Sequence, residues 1–316
     1  MVRAYLRRAP VHCTWQLSPR CESFCHLCEH HALAAGEELD VEGCARVADA
    51  LAATGSLLVS FTGSEPFLRE DLPQVLAAVT RRHFALLVTN GWLVSPARAR
   101  EAWQAGLEVA SVSLEHALPE RHDAITGLPG SHARAVAGLT ALSGERTRRS
   151  QRVNVRTRLR DAGSDGLEGL LELAARHDAT VSLEAAFPLP SLDGDAARLV
   201  SELRALKRRH PNLRTSSPLL ERMGEALRGG VGGCLAGRAF FNVDHRGRVS
   251  RCLEFRGPAD RVGCLADRSL AELRPALQRS AAASDCRACF YASRAEVETL
   301  FSLRGFVTGL RTLVSG

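Results

Sequence analysis

Six short β-rich runs, each followed by an amphipathic helical pattern, constrain this chain's fold more than any other feature of its sequence. The runs are residues 11–17, 56–61, 84–89, 107–114, 152–159 and 180–186. Cys44, Val47, Ala48 and Leu51 repeat at helical spacing, with Asp40 as N-cap and Gly55 as stop. Leu72, Val75, Leu76 and Val79 form the next stripe. Ser95 and Pro96 then supply an N-cap and an N1 proline, and Gly106 ends that helix. Ala135, Val136, Leu139 and Leu142 follow, and Leu167, Leu170, Leu171 and Ala174 make the fifth stripe. Strands alternating with helices of this length imply βαβ units around a parallel sheet. Six such units predict an α/β fold, a partial (β/α)6 TIM-like barrel.

Composition narrows the class. At 316 residues, 45% hydrophobic and 24% charged, the chain is neither disordered, collagen-like nor a polytopic membrane protein. It is long enough to bury a core without disulfides. No apolar run approaches the ~20 residues of a membrane span. Arg3, Arg7 and Arg8 have no apolar stretch behind them, so no signal peptide is expected and the chain reads as cytoplasmic. The net charge of +6 is carried by arginine, with Lys207 the sole lysine. These charges are spread along the chain and read as solvated helix surface, which discounts nucleic acid as a partner. Ten cysteines in such a chain point to metal ligands or catalytic thiols.

The pattern divides the chain into an N-terminal arm (1–10), the barrel (11–190), a helical connection (191–233), a Cys-rich region (234–292) and a final amphipathic helix (293–316). Leu199, Leu203 and Leu206 mark the connection's helix. The Cys-rich region combines a strand-turn-strand pattern with one short helix near 270–277.

Cys21, Cys25 and Cys28 form a C-x3-C-x2-C triplet in the loop after the first strand. Three thiolates on one short loop can converge on a single metal centre and leave one coordination position open. His26, His30 and His31 are neighbouring candidates for a fourth ligand. Three further polar motifs fall at the ends of the next three strands: Gly63-Ser64-Glu65-Pro66, Thr89-Asn90-Gly91 and Ser113-Leu114-Glu115. In a parallel barrel those strand ends share one face, the face that carries active sites.

The triplet, the Gly63–Pro66 tetrapeptide and the Ser113 strand end resemble the radical S-adenosylmethionine (SAM) superfamily over roughly residues 11–190. The resemblance implies that Cys21, Cys25 and Cys28 bind a 4Fe–4S cluster whose open iron chelates SAM. It implies that Gly63, Ser64 and Glu65 contact the methionine amino group, and that Asn90 and Ser113 lie near SAM, Ser113 at the ribose. Two positions depart from the family pattern: Glu115 stands where aspartate is usual, and Thr126 where arginine is frequent.

Cys234, a hairpin turning at His245-Arg246-Gly247, then Cys252, Cys286 and Cys289 supply four more thiolates, enough to enclose one metal centre. Zinc is the default for such a set taken alone. The arrangement resembles the SPASM and twitch extensions of the same superfamily, which implies an auxiliary 4Fe–4S cluster. No cysteine follows Cys289, which fits the shorter, single-cluster twitch form. Cys13 and Cys44 read as small buried hydrophobes and Cys264 as a spare thiol.

The implied reaction is reductive cleavage of SAM to a 5′-deoxyadenosyl radical that abstracts hydrogen from a substrate, with a flavodoxin or ferredoxin as electron donor. The expected substrate is a ribosomally made peptide, whose acidic leader segment would suit the arginine-rich surface. The alternatives are a radical SAM dehydrogenase or tailoring enzyme acting on a small metabolite or tetrapyrrole, and a zinc-stabilised, Arg-rich binding module. Residues 187–233, the last helix, Glu184, Arg158 and Arg160 are expected near the substrate.

Overall fold

The computed structural model describes residues 9–22, 37–159, 166–185, 196–254, 258–282, 286–287 and 297. The expected strands form β1 (His12–Gln16), β2 (Leu58–Thr62), β3 (Phe84–Thr89), β4 (Val109–Ser113), β5 (Arg152–Leu159) and β6 (Thr180–Ala185). Between them run α1 (Val41–Ala52), α2 (Leu72–Thr80), α3 (Pro96–Gln104), α4 (Pro119–Thr126), α5 (Ser131–Gly144) and α6 (Leu167–Arg176). Then follow α7 (Ala196–Arg209), α8 (Ser217–Leu227), β7 (Phe240–Val243), β8 (Arg248–Ser250), β9 (Arg261–Cys264) and α9 (Leu270–Ala282).

Local chemistry accounts for the helix starts. The Asp40 carboxylate accepts from Gly43 N at 2.7 Å to open α1, and the Ser95 hydroxyl accepts from Arg98 N to open α3 ahead of Pro96. Helix α8 was not expected from the sequence, although Ser216 caps it through Leu219 N and its Leu219, Leu220, Met223 and Leu227 stripe is buried. The last helix expected at 293–316 lies outside the described residues, apart from Val297.

Among the described residues one nine-stranded sheet runs β6-β5-β4-β3-β2-β1-β7-β8-β9. Pairing is parallel from β6 through β7 and antiparallel from β7 to β9. The sheet does not close, so the architecture is a partial barrel. The Cys-rich region is continuous with it: β7 pairs with β1, setting His12 beside Phe240 and Trp15 beside Val243. It also contributes a third strand, β9, beyond the expected hairpin.

The two faces of the sheet differ in chemistry. Cys13, Trp15, Val59, Phe61, Leu87, Val112, Val155 and Leu183 point one way, into a single buried apolar cluster with the helices. The alternating residues point away from the helices and are largely polar, among them His12, Gln16, Ser60, Ser111, Asn154 and Glu184. Asn154 Nδ2 donates to Ser182 Oγ at 2.8 Å and to Ser111 Oγ at 3.3 Å, and Arg156 pairs with Glu184. Burial first, and then the Arg156 charge, lower the His12 imidazole to about 4. The helices cover the apolar face, so in this partial barrel the polar face is the inner, concave one.

Candidate cofactor site

At the carboxyl ends of β1 and β2 the chain is joined backbone to backbone. Leu17 N donates to Thr62 O at 2.8 Å, Ser64 N to Ser18 O at 2.9 Å and Glu65 N to Arg20 O at 2.9 Å. The Gly63–Pro66 strip thus lies along residues 17–20, the segment that leads into Cys21. Gly63 has a steric reason: a Cβ there would stand 2.8 Å from Ser18 O and 3.1 Å from Ser18 N. Ser64 needs no such space. Its hydroxyl donates to Pro19 O at 2.9 Å, adding a bond that a glycine could not make.

Glu65 is buried and organises the neighbouring strand end. Its Oε1 accepts from Phe67 N at 2.9 Å and Thr89 Oγ1 at 2.8 Å, and its Oε2 from Asn90 N at 2.8 Å. Asn90 reaches back to the cysteine loop, its Nδ2 donating to Glu22 Oε1 at 2.8 Å and lying 3.9 Å from Cys21 Sγ. The second oxygen of Glu22 is buried without a hydrogen-bond partner among the described residues. Cys21, Glu22, Gly63, Ser64, Glu65 and Asn90 therefore form one contiguous group. Ser113 ends β4 two strands further on, paired with Arg156. Cys25, Cys28, His26, His30 and His31 lie outside the described residues, and among the described ones no group of three or more His, Cys, Asp or Glu is gathered as for a metal.

The two unusual positions have local partners. The Glu115 carboxylate accepts from Arg158 N at 3.0 Å, and its backbone N–H donates to His122 Nδ1 at 3.0 Å. Thr126 is buried within the α4–α5 turn, its hydroxyl 2.7 Å from Ser131 Oγ. Arg160 lies outside the described residues.

A clamp that no motif announces holds both ends of the cysteine-bearing segment. Arg69, 4% exposed, donates through Nη2 to Leu39 O and to Asp71, both at 2.8 Å, and lies 3.6 Å from Glu38. Glu38 in turn accepts from Ser18 Oγ at 2.8 Å and Arg20 Nε at 2.7 Å. Residues 17–20 enter the segment and 38–39 leave it, so this network sets its endpoints. Arg69→Met removes a buried cation and leaves Glu38 and Asp71 short of a partner. It is expected to cost about 3 kcal/mol, read as a lower melting temperature, and to reduce iron retained after anaerobic purification.

Cys234 and Cys252 of the Cys-rich region lie at the opposite end of the sheet. Cys234 and Cys252 both pack against a small cluster of Val11, Ala236, Ala239, Phe240 and Val297, beside the start of β1. Cys286 precedes Arg287, whose carbonyl would meet a Cβ on Gly230 at 2.6 Å, four residues before Cys234. Cys289 lies outside the described residues. Cys264 is elsewhere: it pairs with Arg248 at the other end of β8 and lies 3.5 Å from Arg246 O. Cys13 and Cys44 are buried in the core, and burial pushes the Cys44 thiol up to about 12. At this same end of the strands, a cavity of about 920 Å³ at the starts of β5 and β6 is lined by Arg146, Arg148, Arg149 and Arg152. Two of these are already paired, Arg146 with Asp178 and Arg148 with Glu108. No helix among the described residues is long and apolar enough to cross a membrane.

Comparison with known proteins bears on the end that carries Cys21. Residues 15–154 match the radical SAM superfamily. A PqqA peptide cyclase of Granulibacter bethesdensis is 32% identical over 122 residues, 38% of this chain and 33% of the relative. An Fe-coproporphyrin III synthase of Methanosarcina barkeri is 32% identical over 128 residues, 40% of this chain and 32% of the relative. The matched part of the chain thus spans about a third of either relative's length. Streptococcus suis SuiB bound to its precursor peptide SuiA superposes with a TM-score of 0.71 at 13% identity, covering 94% of this chain and 74% of SuiB. At that identity the likeness is one of fold. With the strip of residues 63–66 lying along the segment that enters the cysteine triplet, the similarity of residues 15–154 to the radical SAM superfamily has a structural counterpart.

Proposed function

We propose that this chain is a radical SAM enzyme that modifies a ribosomally made peptide. Cys21, Cys25 and Cys28 would hold a 4Fe–4S cluster, and Gly63, Ser64, Glu65, Asn90 and Ser113 would bind SAM. The observation that carries the reading is the backbone pairing of residues 63–65 with 18–20, which aligns the strip with the entry to the triplet. One feature fits a bound SAM: Glu22 keeps a buried carboxylate oxygen that an ammonium group would satisfy.

When bound, the cluster and SAM supply a one-electron cleavage whose product takes a hydrogen atom from the substrate. The chain's own residues do the positioning. Glu65 fixes the β3 end through Thr89 and Asn90, and Asn90 holds Glu22 beside Cys21. The test is anaerobic: reduced, reconstituted protein with SAM is expected to release 5′-deoxyadenosine. Colourless protein containing zinc and no iron would sink the reading.

Glu65 makes the binding pH-dependent. Burial pushes its carboxyl up to about 7, against three donated hydrogen bonds that pull it down, and the Glu22 charge adds to the rise. A folded-state value above the ordinary 4.5 means that folding takes up a proton. Stability of the unliganded protein therefore falls as pH rises from 4.5 to about 7. A cation bound at the site favours the ionised form, so SAM is expected to raise the melting temperature more at pH ~7.5 than at pH ~5.5. Equal shifts would mean that Glu65 does not sense the ligand.

The peptide substrate is supported by two relatives: one is a peptide cyclase, and the other is a fold neighbour bound to a precursor peptide. The arginine-lined cavity would suit an acidic leader segment. Cys234, Cys252, Cys286 and Cys289 would form an auxiliary 4Fe–4S centre of twitch type, and a flavodoxin or ferredoxin would donate the electron. Reduced enzyme and SAM, incubated with peptides encoded beside its gene, should change the mass of one of them. The second reading, a tetrapyrrole tailoring enzyme, is favoured by the coproporphyrin relative. It stands if only a tetrapyrrole accelerates 5′-deoxyadenosine formation.

A further inference from the structure

The open cavity of about 920 Å³ lies where α5 and α6 end and β5 and β6 begin, at the opposite end of the strands from Asn90 and Ser113. Four arginines line it, Arg146, Arg148, Arg149 and Arg152, against one lining carboxylate, Asp178. Two of the four are already held. Arg146 donates through Nη2 to Asp178 at 2.7 Å and through Nε to Ser143 O at 3.1 Å, and Arg148 lies 2.8 Å from Glu108. The other two are exposed cations without a carboxylate. The Arg149 guanidinium forms no hydrogen bond or ion pair among the described residues, and Arg152 donates to the carbonyls of Arg149 and Gln151.

The anion that suits this cavity follows from the donors it offers. Phosphate favours a helix N-terminus or a nest of backbone N–H groups. Here α5 and α6 present their carboxyl ends, whose carbonyls repel a compact anion. The N–H groups of Thr147 and Arg148 are both taken by Gln151 Oε1, at 2.7 and 3.0 Å. What remains is guanidinium, whose planar fork matches a carboxylate. Arg146 and Arg148 already show that pairing, with Asp178 and Glu108. Cations distributed around a volume of this size suit several carboxylates along one chain better than one small anion.

We infer that this cavity is a docking site for an acidic segment of the peptide substrate, with Arg149 and Arg152 supplying the charges that pair with its carboxylates. The site stands apart from the reacting end: β5 runs eight residues from Arg152 toward that end, a length of about 23 Å. It therefore grips the substrate away from the bond that changes. The inference rests on the peptide reading above and specifies which residues hold the acidic segment and how binding responds to their charge.

The test uses the reconstituted protein with SAM and without reductant, so that nothing is consumed. The probes are fluorescein-labelled hexaglutamate and hexaglutamine, and binding is followed by fluorescence anisotropy. The wild-type protein is expected to bind hexaglutamate at least about tenfold more tightly than hexaglutamine, with an affinity that falls as salt rises. A protein carrying Arg149→Gln with Arg152→Gln should bind hexaglutamate about tenfold more weakly and melt as wild type does, because both side chains are exposed. Asp178→Asn should act in the opposite direction and tighten hexaglutamate about threefold. It removes the one lining carboxylate, and asparagine tolerates the left-handed backbone found there, with φ of 49°. A damaged fold could not produce that gain. Equal binding of the two probes, or displacement of hexaglutamate by an equal concentration of inorganic phosphate, overturns the docking site. So does unaltered binding by the arginine variant or weaker binding by the Asp178 variant. Failure of the peptide reading looks different: hexaglutamate binds as expected, yet no peptide raises 5′-deoxyadenosine formation.

Discussion

Replacing Cys25 by alanine is expected to bring 5′-deoxyadenosine formation down to background while the auxiliary centre stays bound. Three thiolates are the minimum that holds a four-iron cluster with one iron open, and that open iron is what a bound SAM requires. An alanine supplies no fourth or third ligand, so the loss is a change of kind rather than of degree. The proposed second centre should survive because its residues lie at the other end of the sheet. Cys21 follows the carboxyl end of β1, whereas Cys234 and Cys252 pack beside Val11 at its start. Five strand residues alone separate those ends by about 16 Å. Iron is therefore expected to fall from about eight to about four atoms per chain, with an unchanged melting profile for the apolar core. Normal SAM cleavage by this variant would remove Cys25 from the site. Loss of all iron would show that the two centres are coupled through folding.

Much of the barrel could be read in the sequence because each βα unit is locally consistent. The strands are backed by helices on one face, so their apolar alternation is strong, and Asp40 and Ser95 cap their helices as the spacing predicts. What escaped is non-local. Pairing of β7 with β1 joins residues 228 positions apart, His12 with Phe240, and nothing in either strand names its partner. The Arg69 clamp was equally hidden, since periodicity cannot tell a buried, fully paired arginine from a solvated one. The bond from Ser64 to Pro19 O gives that residue a role no pattern in the sequence announces. The polar concave face left a visible trace: His12, Thr14 and Gln16 alternate with Cys13 and Trp15 along β1. In a barrel filled by its own side chains those positions would be apolar. A polar lining is what a chamber meant for a ligand requires.

The cysteines at the other end make the sharpest contrast between variants. Cys252→Ala and Cys286→Ala are each expected to lose about four iron atoms per chain, whereas Cys264→Ala should keep them all. The sequence reads Cys264 as a spare thiol, although it could replace one assumed auxiliary ligand. The register of the C-terminal strands separates them. Cys264 stands opposite Arg248 at the turn end of β8, beside Arg246 and Gly247. Cys252 lies past the other end of β8, where it and Cys234 pack on the same small apolar cluster. Cys264 and Cys252 thus stand at opposite ends of that strand. Cys286 reaches the Cys234 side through Arg287, whose backbone rests against Gly230. That contact also explains the glycine at position 230. Gly230 has φ of +83°, and a side chain there would collide with the Arg287 carbonyl at 2.6 Å. Gly230→Ala is therefore expected to mimic Cys286→Ala in part, loosening the auxiliary centre without touching a ligand. Iron lost from the Cys264 variant but kept by the Cys286 variant would reverse the ligand assignment and, with it, the reading of this end of the barrel.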